Sequence, residues 1–138
     1  MTRRSLPPGA AATVEWVVRE SDLASALSSD HKESFPHVFA TSRMVALMEV
    51  AAARAMETVL QEGELTAGVS INVTHTAATP AGSTVRATAR FLQMQGKFYR
   101  FEVSAEDEAG EVGRGIHDRA IVLHQRLLEG AEKRRRRP

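Results

Sequence analysis

The longest patterned stretch of the chain runs from Ser42 to Gln61. It contains no glycine or proline, and it is dominated by alanine, methionine, leucine and glutamate, all of which favour helices. Its twenty residues correspond to about 30 Å of helix. We expect Thr41 or Ser42 to cap its start and Gly63 to follow its end. Apolar residues recur at helical spacing and predict a helix that is wrapped on several sides: Met44, Leu47, Met48, Ala51, Ala52, Ala55, Met56 and Val59.

Elsewhere the apolar positions repeat every second residue, which predicts strands. Within the run 69–75, valine and isoleucine alternate with polar residues, and His75 continues the apolar face. Short turns separate the later strands, and such turns join antiparallel neighbours. The other predicted strands are 13–18, 83–95, 98–106 and 112–124.

The predicted order is therefore one strand, one long helix and four strands. A helix packed on an antiparallel sheet is an α+β arrangement, and one central helix wrapped by a curved five-stranded sheet is the hotdog fold. The edge strands of such a sheet need covering. Since pairing two copies would cover them, we expect at least a homodimer.

The length of 138 residues predicts a single domain. We expect a flexible arm over 1–11, which holds two prolines and a glycine, and a basic C-terminal tail over 126–138. No run of apolar residues is long enough to span a membrane, and the first residues lack the apolar segment of a signal peptide. The absence of cysteine excludes disulfides, cysteine zinc sites and thiol nucleophiles, and favours a cytoplasmic location.

The net charge of +1 is unevenly distributed. Residues 133–137 are all basic, whereas residues 1–132 hold 13 basic and all 17 acidic residues, a net charge of −4. The body therefore lacks the basic stripe of a nucleic-acid-binding domain. We expect the tail to be solvated rather than bound to nucleic acid or a membrane.

Glu49 is the only polar residue between Met44 and Ala53. A carboxylate in a buried helix has to be paired, hydrogen-bonded or neutralised. Glu49 could pair with an arginine such as Arg54 or Arg119, or lie on a more exposed flank of the helix. Alternatively it is a perturbed carboxylate in a cleft, acting as base or nucleophile. The residues alone leave these alternatives open.

Three further positions allow both a structural and a functional interpretation. A lone histidine on an apolar face, such as His75, is more often a core residue than a catalytic one. Thr41 could cap the helix, or it could lie where free backbone N–H groups meet a bound acyl carbonyl. Gly68 could start a strand or bulge, or it could let a ligand approach the backbone. The histidine spacing predicts no metal site, and no nucleotide-binding loop or GxSxG elbow is present.

Three segments together resemble the fluoroacetyl-CoA thioesterase family: FPHVFATSRMVALME (35–49), VTHTAATP (73–80) and GIHDRA (115–120). The resemblance extends over about residues 12 to 125, in the same order and with similar spacing. It implies a hotdog-fold homodimer that hydrolyses a short-chain acyl-CoA to free acid and CoA. CoA is then part of the substrate, and no cofactor or metal is implied.

The resemblance also implies a site. Thr41, Glu49 and His75 match the catalytic residues of the family, and Gly68 and Arg119 match positions that contact the bound thioester. Phe35 matches the second of two phenylalanines in a lid over the acyl pocket.

The first lid phenylalanine is replaced here by Lys32. A charged residue in an apolar lid admits water, so we expect a general short-chain acyl-CoA thioesterase at least as readily as a fluoroacetyl-selective one. Two rivals remain. A non-catalytic acyl-CoA-binding protein would release no thiol. A hotdog dehydratase would need a histidine and an aspartate together, whereas His117 and Asp118 are neighbours on opposite strand faces.

Overall fold

The computed structural model describes residues 4–137 as one antiparallel sheet with a long helix on its inner face. Three short 3₁₀ turns connect the elements, at Glu20–Asp22, Ala24–Ala26 and Glu57–Val59. The helices and strands are β1 (Ala11–Val17), α1 (Thr41–Ala55), β2 (Glu64–His75), β3 (Thr84–Gln95), β4 (Phe98–Asp107), β5 (Gly110–Leu123) and α2 (His124–Arg135).

The strand order is β1-β3-β4-β5-β2, with every neighbouring pair antiparallel. The core lies between α1 and the sheet, and it includes the alternate residues Tyr99, Phe101 and Val103 of β4 together with Met44 and Met48 of α1. The predicted α+β architecture of one helix and a five-stranded sheet is confirmed. β2 is an edge strand, and α1 packs mainly on β1 and β3 and touches β2 much less.

Helix α1 is shorter than its composition predicts. It ends at Ala55, and the following residues tighten into a 3₁₀ turn instead of continuing to Gln61. Met56 is fully buried at this point, so tertiary packing at the end of α1 overrides the good helix propensity of the next residues. Gly63, with φ of +83°, then turns the chain into β2.

A bulge at Val69 changes which residues of β2 share a face. Gly68 pairs with Arg119 and Ser70 with Asp118, so Val69 has no partner in β5 and is 47% exposed. The prediction that Val69 belongs to the apolar face was therefore wrong, because one extra residue reverses the alternation.

Both ends of the chain have more structure than their composition indicates. In the N-terminal arm, Leu6 is buried and Arg4 pairs with Glu64 at 2.8 Å. In the C-terminal segment, residues 124–135 form α2, which is exposed along its length. Within residues 4–137, neither helix is long and apolar enough to cross a bilayer.

Candidate active site

Thr41 and His75 meet where the start of α1 passes the end of β2. Ala40 occupies the N-cap position, and no side chain caps the helix. The predicted cap at Thr41 or Ser42 is therefore absent, and the Thr41 hydroxyl instead lies 2.8 Å from Nδ1 of His75. The pair opens onto a depression of about 250 Å³ whose lining includes Phe39, Thr76 and Ala78.

The His75 ring is enclosed on its other side. Phe39 contacts it edge-on, with ring centroids 6.4 Å apart. Burial lowers the pKa of His75 below its usual value, and the backbone of Ala77 opposes this only in part. Among the buried side-chain nitrogen and oxygen atoms of residues 4–137, Nε2 of His75 and Nη1 of Arg4 have no hydrogen-bond partner. A neutral imidazole with one unoccupied nitrogen is suited to proton transfer.

Glu49 forms a second cluster, farther along α1. Its side chain is 43% exposed and accepts a hydrogen bond at Oε2 from Nη1 of Arg119, at 2.9 Å. Arg119 is 7% exposed, and Thr66 of β2 accepts from its Nε and Nη2 through the hydroxyl and the carbonyl oxygen, both at 3.1 Å. Of the arginines considered from the sequence, Arg119 is thus the partner. Arg54 donates instead to the carbonyl of Thr13.

Gly68 leaves the space in which the Glu49 carboxylate lies. A Cβ atom at this position would collide with Oε2 of Glu49 and would lie 3.3 Å from both Nη1 of Arg119 and Cε1 of His117. The glycine is required for this close approach and not for a special backbone angle, because its φ is not positive.

His117 also belongs to the Glu49 cluster, although from the sequence it was considered only as half of a dehydratase pair with Asp118. It is buried on the same face of β5 as Arg119, two residues away. Asp118 points to the opposite face, as predicted, and pairs with Arg100 at 2.9 Å. The available signal in the sequence was that His117 and Arg119 are two residues apart, which places them on the same face of a strand. A depression of about 290 Å³ is lined by Glu49, Gly68, Val69, Ser70, Ile71 and His117.

Within one chain the two clusters lie apart. Thr41 and Glu49 are eight residues apart on α1, which corresponds to about 12 Å along the helix axis. The structure thus brings Thr41 to His75, and Glu49 to Gly68 and Arg119. Phe35 lies in the irregular segment before α1 and is 42% exposed, and Lys32 is exposed as well. The adjacent Pro36 lines the depression beside Thr41.

No group of three or more histidine, aspartate or glutamate side chains with metal-binding geometry occurs in the part of the chain that the structure describes.

Comparisons with a family model and with a curated protein point to the same family of thioesterases. Residues 18–125 match the family described as fluoroacetyl-CoA-specific thioesterase, FlK. A fluoroacetyl-CoA thioesterase from Streptantibioticus cattleyicolor is 50% identical over 88 residues, a match that spans 64% of this chain and 63% of that relative's length.

Solved structures extend the likeness to nearly the whole chain. A structure of the fluoroacetyl-CoA thioesterase FlK has a TM-score of 0.85 at 39% identity and covers 98% of this chain and 100% of its own. A thioesterase superfamily member from Thermus thermophilus has a TM-score of 0.83 at 28% identity and covers 95% of this chain and 93% of its own.

Proposed function

This chain belongs to the fluoroacetyl-CoA-specific thioesterase family, and from that premise we propose that it hydrolyses short-chain acyl-CoA thioesters to free acid and CoA. The observation that carries the proposal is the Glu49 carboxylate, which Arg119 holds by one oxygen over Gly68 in an open depression. A carboxylate placed in this way can act on a carbonyl carbon that enters the depression.

Glu49 is the proposed nucleophile or base. Its Oε2 atom is bound to Arg119, whereas Oε1 has no hydrogen-bond partner in the described chain and is free to react. If Oε1 attacks the acyl carbon, the C–S bond breaks, CoA leaves as the thiolate and a mixed anhydride forms, which water then hydrolyses. If Glu49 instead takes a proton from water, the resulting hydroxide attacks the same carbon and the thiolate leaves. Both routes consume one water and regenerate Glu49.

The remaining site residues are given supporting roles. In the anhydride route, neutral His75 accepts the proton of the water that hydrolyses the anhydride and passes it to the thiolate sulfur; in the direct route, His75 passes the proton from Glu49 to that sulfur. Thr41 orients the ring through Nδ1. The bulge beside Gly68 leaves backbone groups outside the β2–β5 ladder, and an N–H there can hold the carbonyl oxygen as negative charge develops on it. CoA is part of the substrate, and neither a cofactor nor a metal takes part.

A homodimer would bring the two clusters together. β2 is an edge strand of twelve residues that pairs with β5 on one side only, and its Leu65 and Val69 are exposed. Helix α1 leaves much of the inner face of β2 uncovered. Antiparallel pairing of two β2 strands about a two-fold axis near Ile71 and Asn72 would set His75 of one copy opposite Gly68 of the other. Each site would then combine Glu49 of one chain with the Thr41–His75 pair of its partner.

The acyl group is proposed to be short, with selectivity broader than for fluoroacetyl alone. Lys32 stands at the lid position where an apolar residue would exclude water, and Phe35 is exposed beside it. We place the protein in the cytoplasm on its cysteine-free composition. We assign no nucleic-acid or membrane partner to the basic residues 133–137.

The test is free-thiol release from acetyl-, fluoroacetyl-, propionyl-, butyryl- and arylacetyl-CoA by the purified protein. We expect turnover of the short esters, with acetyl-CoA and propionyl-CoA hydrolysed as well as fluoroacetyl-CoA. The rival function is a non-catalytic acyl-CoA-binding protein. Calorimetric binding of the same esters without any thiol release would establish the rival and overturn the proposal.

A further inference from the structure

We propose that His117 is a positioning residue that fixes Arg119, and through Arg119 the reacting carboxylate of Glu49. The inference rests on the proposed function, to which it adds a residue that the mechanism above does not use. It starts from a buried histidine whose two ring nitrogens both have partners inside the Glu49 cluster.

The hydrogen bonds of His117 define its tautomer. Nδ1 lies 2.8 Å from the carbonyl oxygen of Ser70, which can only accept, so Nδ1 carries the hydrogen. Nε2 lies 3.1 Å from Nη1 of Arg119, which can only donate, so Nε2 is the acceptor. His117 is therefore neutral, as a buried histidine beside a guanidinium is expected to be.

Nη1 of Arg119 carries two hydrogens, and the two acceptors around it are Oε2 of Glu49 and Nε2 of His117. Together with the two bonds to Thr66, these contacts use every nitrogen of the guanidinium and hold its plane in one orientation. Without the acceptor at His117, a nearly buried N–H would lack a partner, and Arg119 would turn to satisfy it.

Such a turn would move Glu49, because the bond to Arg119 is the hydrogen bond that holds its carboxylate. Glu49 is otherwise a half-exposed side chain with rotational freedom. A displacement of about 1 Å at a reacting group can lower a rate by about 10²-fold. His117 thus acts on the rate without contacting the acyl carbon, and its loss should lower kcat more than it raises KM.

Two substitutions at His117 each remove one of its two hydrogen bonds and keep the other. In His117→Asn the amide nitrogen takes the place of Nδ1, so the bond to Ser70 is kept and the bond to Arg119 is lost. In His117→Gln the amide oxygen takes the place of Nε2, so the bond to Arg119 is kept and the bond to Ser70 is lost. Asp118→Asn is the matched control, because it weakens the ion pair with Arg100 on the opposite face of the same strand.

The measurement is kcat and KM for thiol release, together with the melting temperature of each variant. We expect His117→Asn to lose about 10²-fold in kcat and His117→Gln to recover at least about tenfold of that loss, at similar melting temperatures. Asp118→Asn should lower the melting temperature with little change in kcat. Equal kcat values for the two His117 variants, whether both normal or both reduced, would overturn the inference. Absence of thiol release by the unsubstituted protein would instead overturn the proposed function.

Discussion

At the scale of single residues, the position of the Glu49 carboxylate depends on Arg119, which donates a hydrogen bond to it at 2.9 Å. Arg54 and Arg119 could be named from the sequence as examples of an ion-pair partner for Glu49, but the sequence could not decide between them. The choice depends on the register of β5 against β2, which brings Arg119 opposite Gly68. His117 was overlooked for the same reason. Its spacing of two residues from Arg119 indicates a shared site only once it is known which face of β5 points toward Glu49.

Substitution of Gly68 by alanine is predicted to abolish most activity while sparing the fold. The new methyl group collides with the end of the flexible Glu49 side chain, which can move away, so the free energy of unfolding should fall by less than about 1 kcal/mol. The carboxylate is then displaced from Arg119, and kcat should fall by about 10²-fold.

Thiol-release kinetics and thermal melting check this prediction. Gly130→Ala is the control, because a methyl group there meets nothing within 4 Å. A Gly68→Ala protein with normal kcat would show that the position of Glu49 is unimportant.

The pH dependence of activity follows from His75. Burial lowers its pKa below the usual 6.5, so the neutral form that accepts a proton persists to lower pH than in a free histidine. Activity is lost only as the pH falls through that lowered pKa, and the acid limb of kcat/KM should therefore have its midpoint below 6.5. A profile of thiol release from pH 4.5 to 9 measures it, and a midpoint above 6.5 would contradict the assigned role.

At the scale of elements, the sequence predicted the strands and the long helix because each has a clear apolar period. The end of α1 and the Val69 bulge could not be predicted. Both depend on packing against distant parts of the chain and not on local propensity. The bulge matters for function, because it puts Thr66 and Gly68 on the face that meets Glu49.

The start of α1 depends on Asp22, a fully buried carboxylate in the connection from β1. Asp22 accepts hydrogen bonds from Nε1 of Trp16 at 2.7 Å, from the backbone N–H of Arg19 at 2.8 Å and from Nε of Arg43 at 3.0 Å. Burial raises the pKa of Asp22, but these hydrogen bonds outweigh it and hold the pKa below the usual value. Its stabilising effect is thus present at neutral pH and is lost as the pH falls through the lowered pKa.

Asp22→Ala is predicted to lower the free energy of unfolding by about 2–4 kcal/mol, because three donors lose their acceptor. Urea unfolding at pH 7 measures the change, with Glu62→Gln in an exposed turn as the control. The difference between Asp22→Ala and the unsubstituted protein should shrink on acidification. An equal difference at pH 7 and pH 3 would contradict the account.

At the scale of the whole molecule, one chain carries two partial sites separated by about 12 Å along α1. The sequence resemblance grouped Thr41, Glu49 and His75 into one catalytic set. It compared positions along the sequence and did not say whether the three residues of one chain lie together. In the homodimer proposed from the open β2 edge, Glu49 of one chain would lie with Thr41 and His75 of its partner, so the three residues would still form one site.

Complementation tests this arrangement. Glu49→Gln and His75→Ala should each be inactive alone. When the two proteins are unfolded, mixed in equal amounts and refolded together, half of the dimers should be mixed, and each of these should contain one intact site. About a quarter of normal activity should therefore return. No recovery, with mixed dimers confirmed by mass spectrometry, would show that each site lies within one chain.

The central claim is that the Glu49 carboxylate carries the reaction, and Glu49→Gln tests it most directly. The amide keeps the shape and can still accept from Arg119, so folding should be unchanged while the charge is removed. We predict that thiol release at saturating acetyl-CoA falls by about 10²–10⁴-fold, with an unaltered melting temperature. Thiol release at the normal rate by Glu49→Gln would contradict the account.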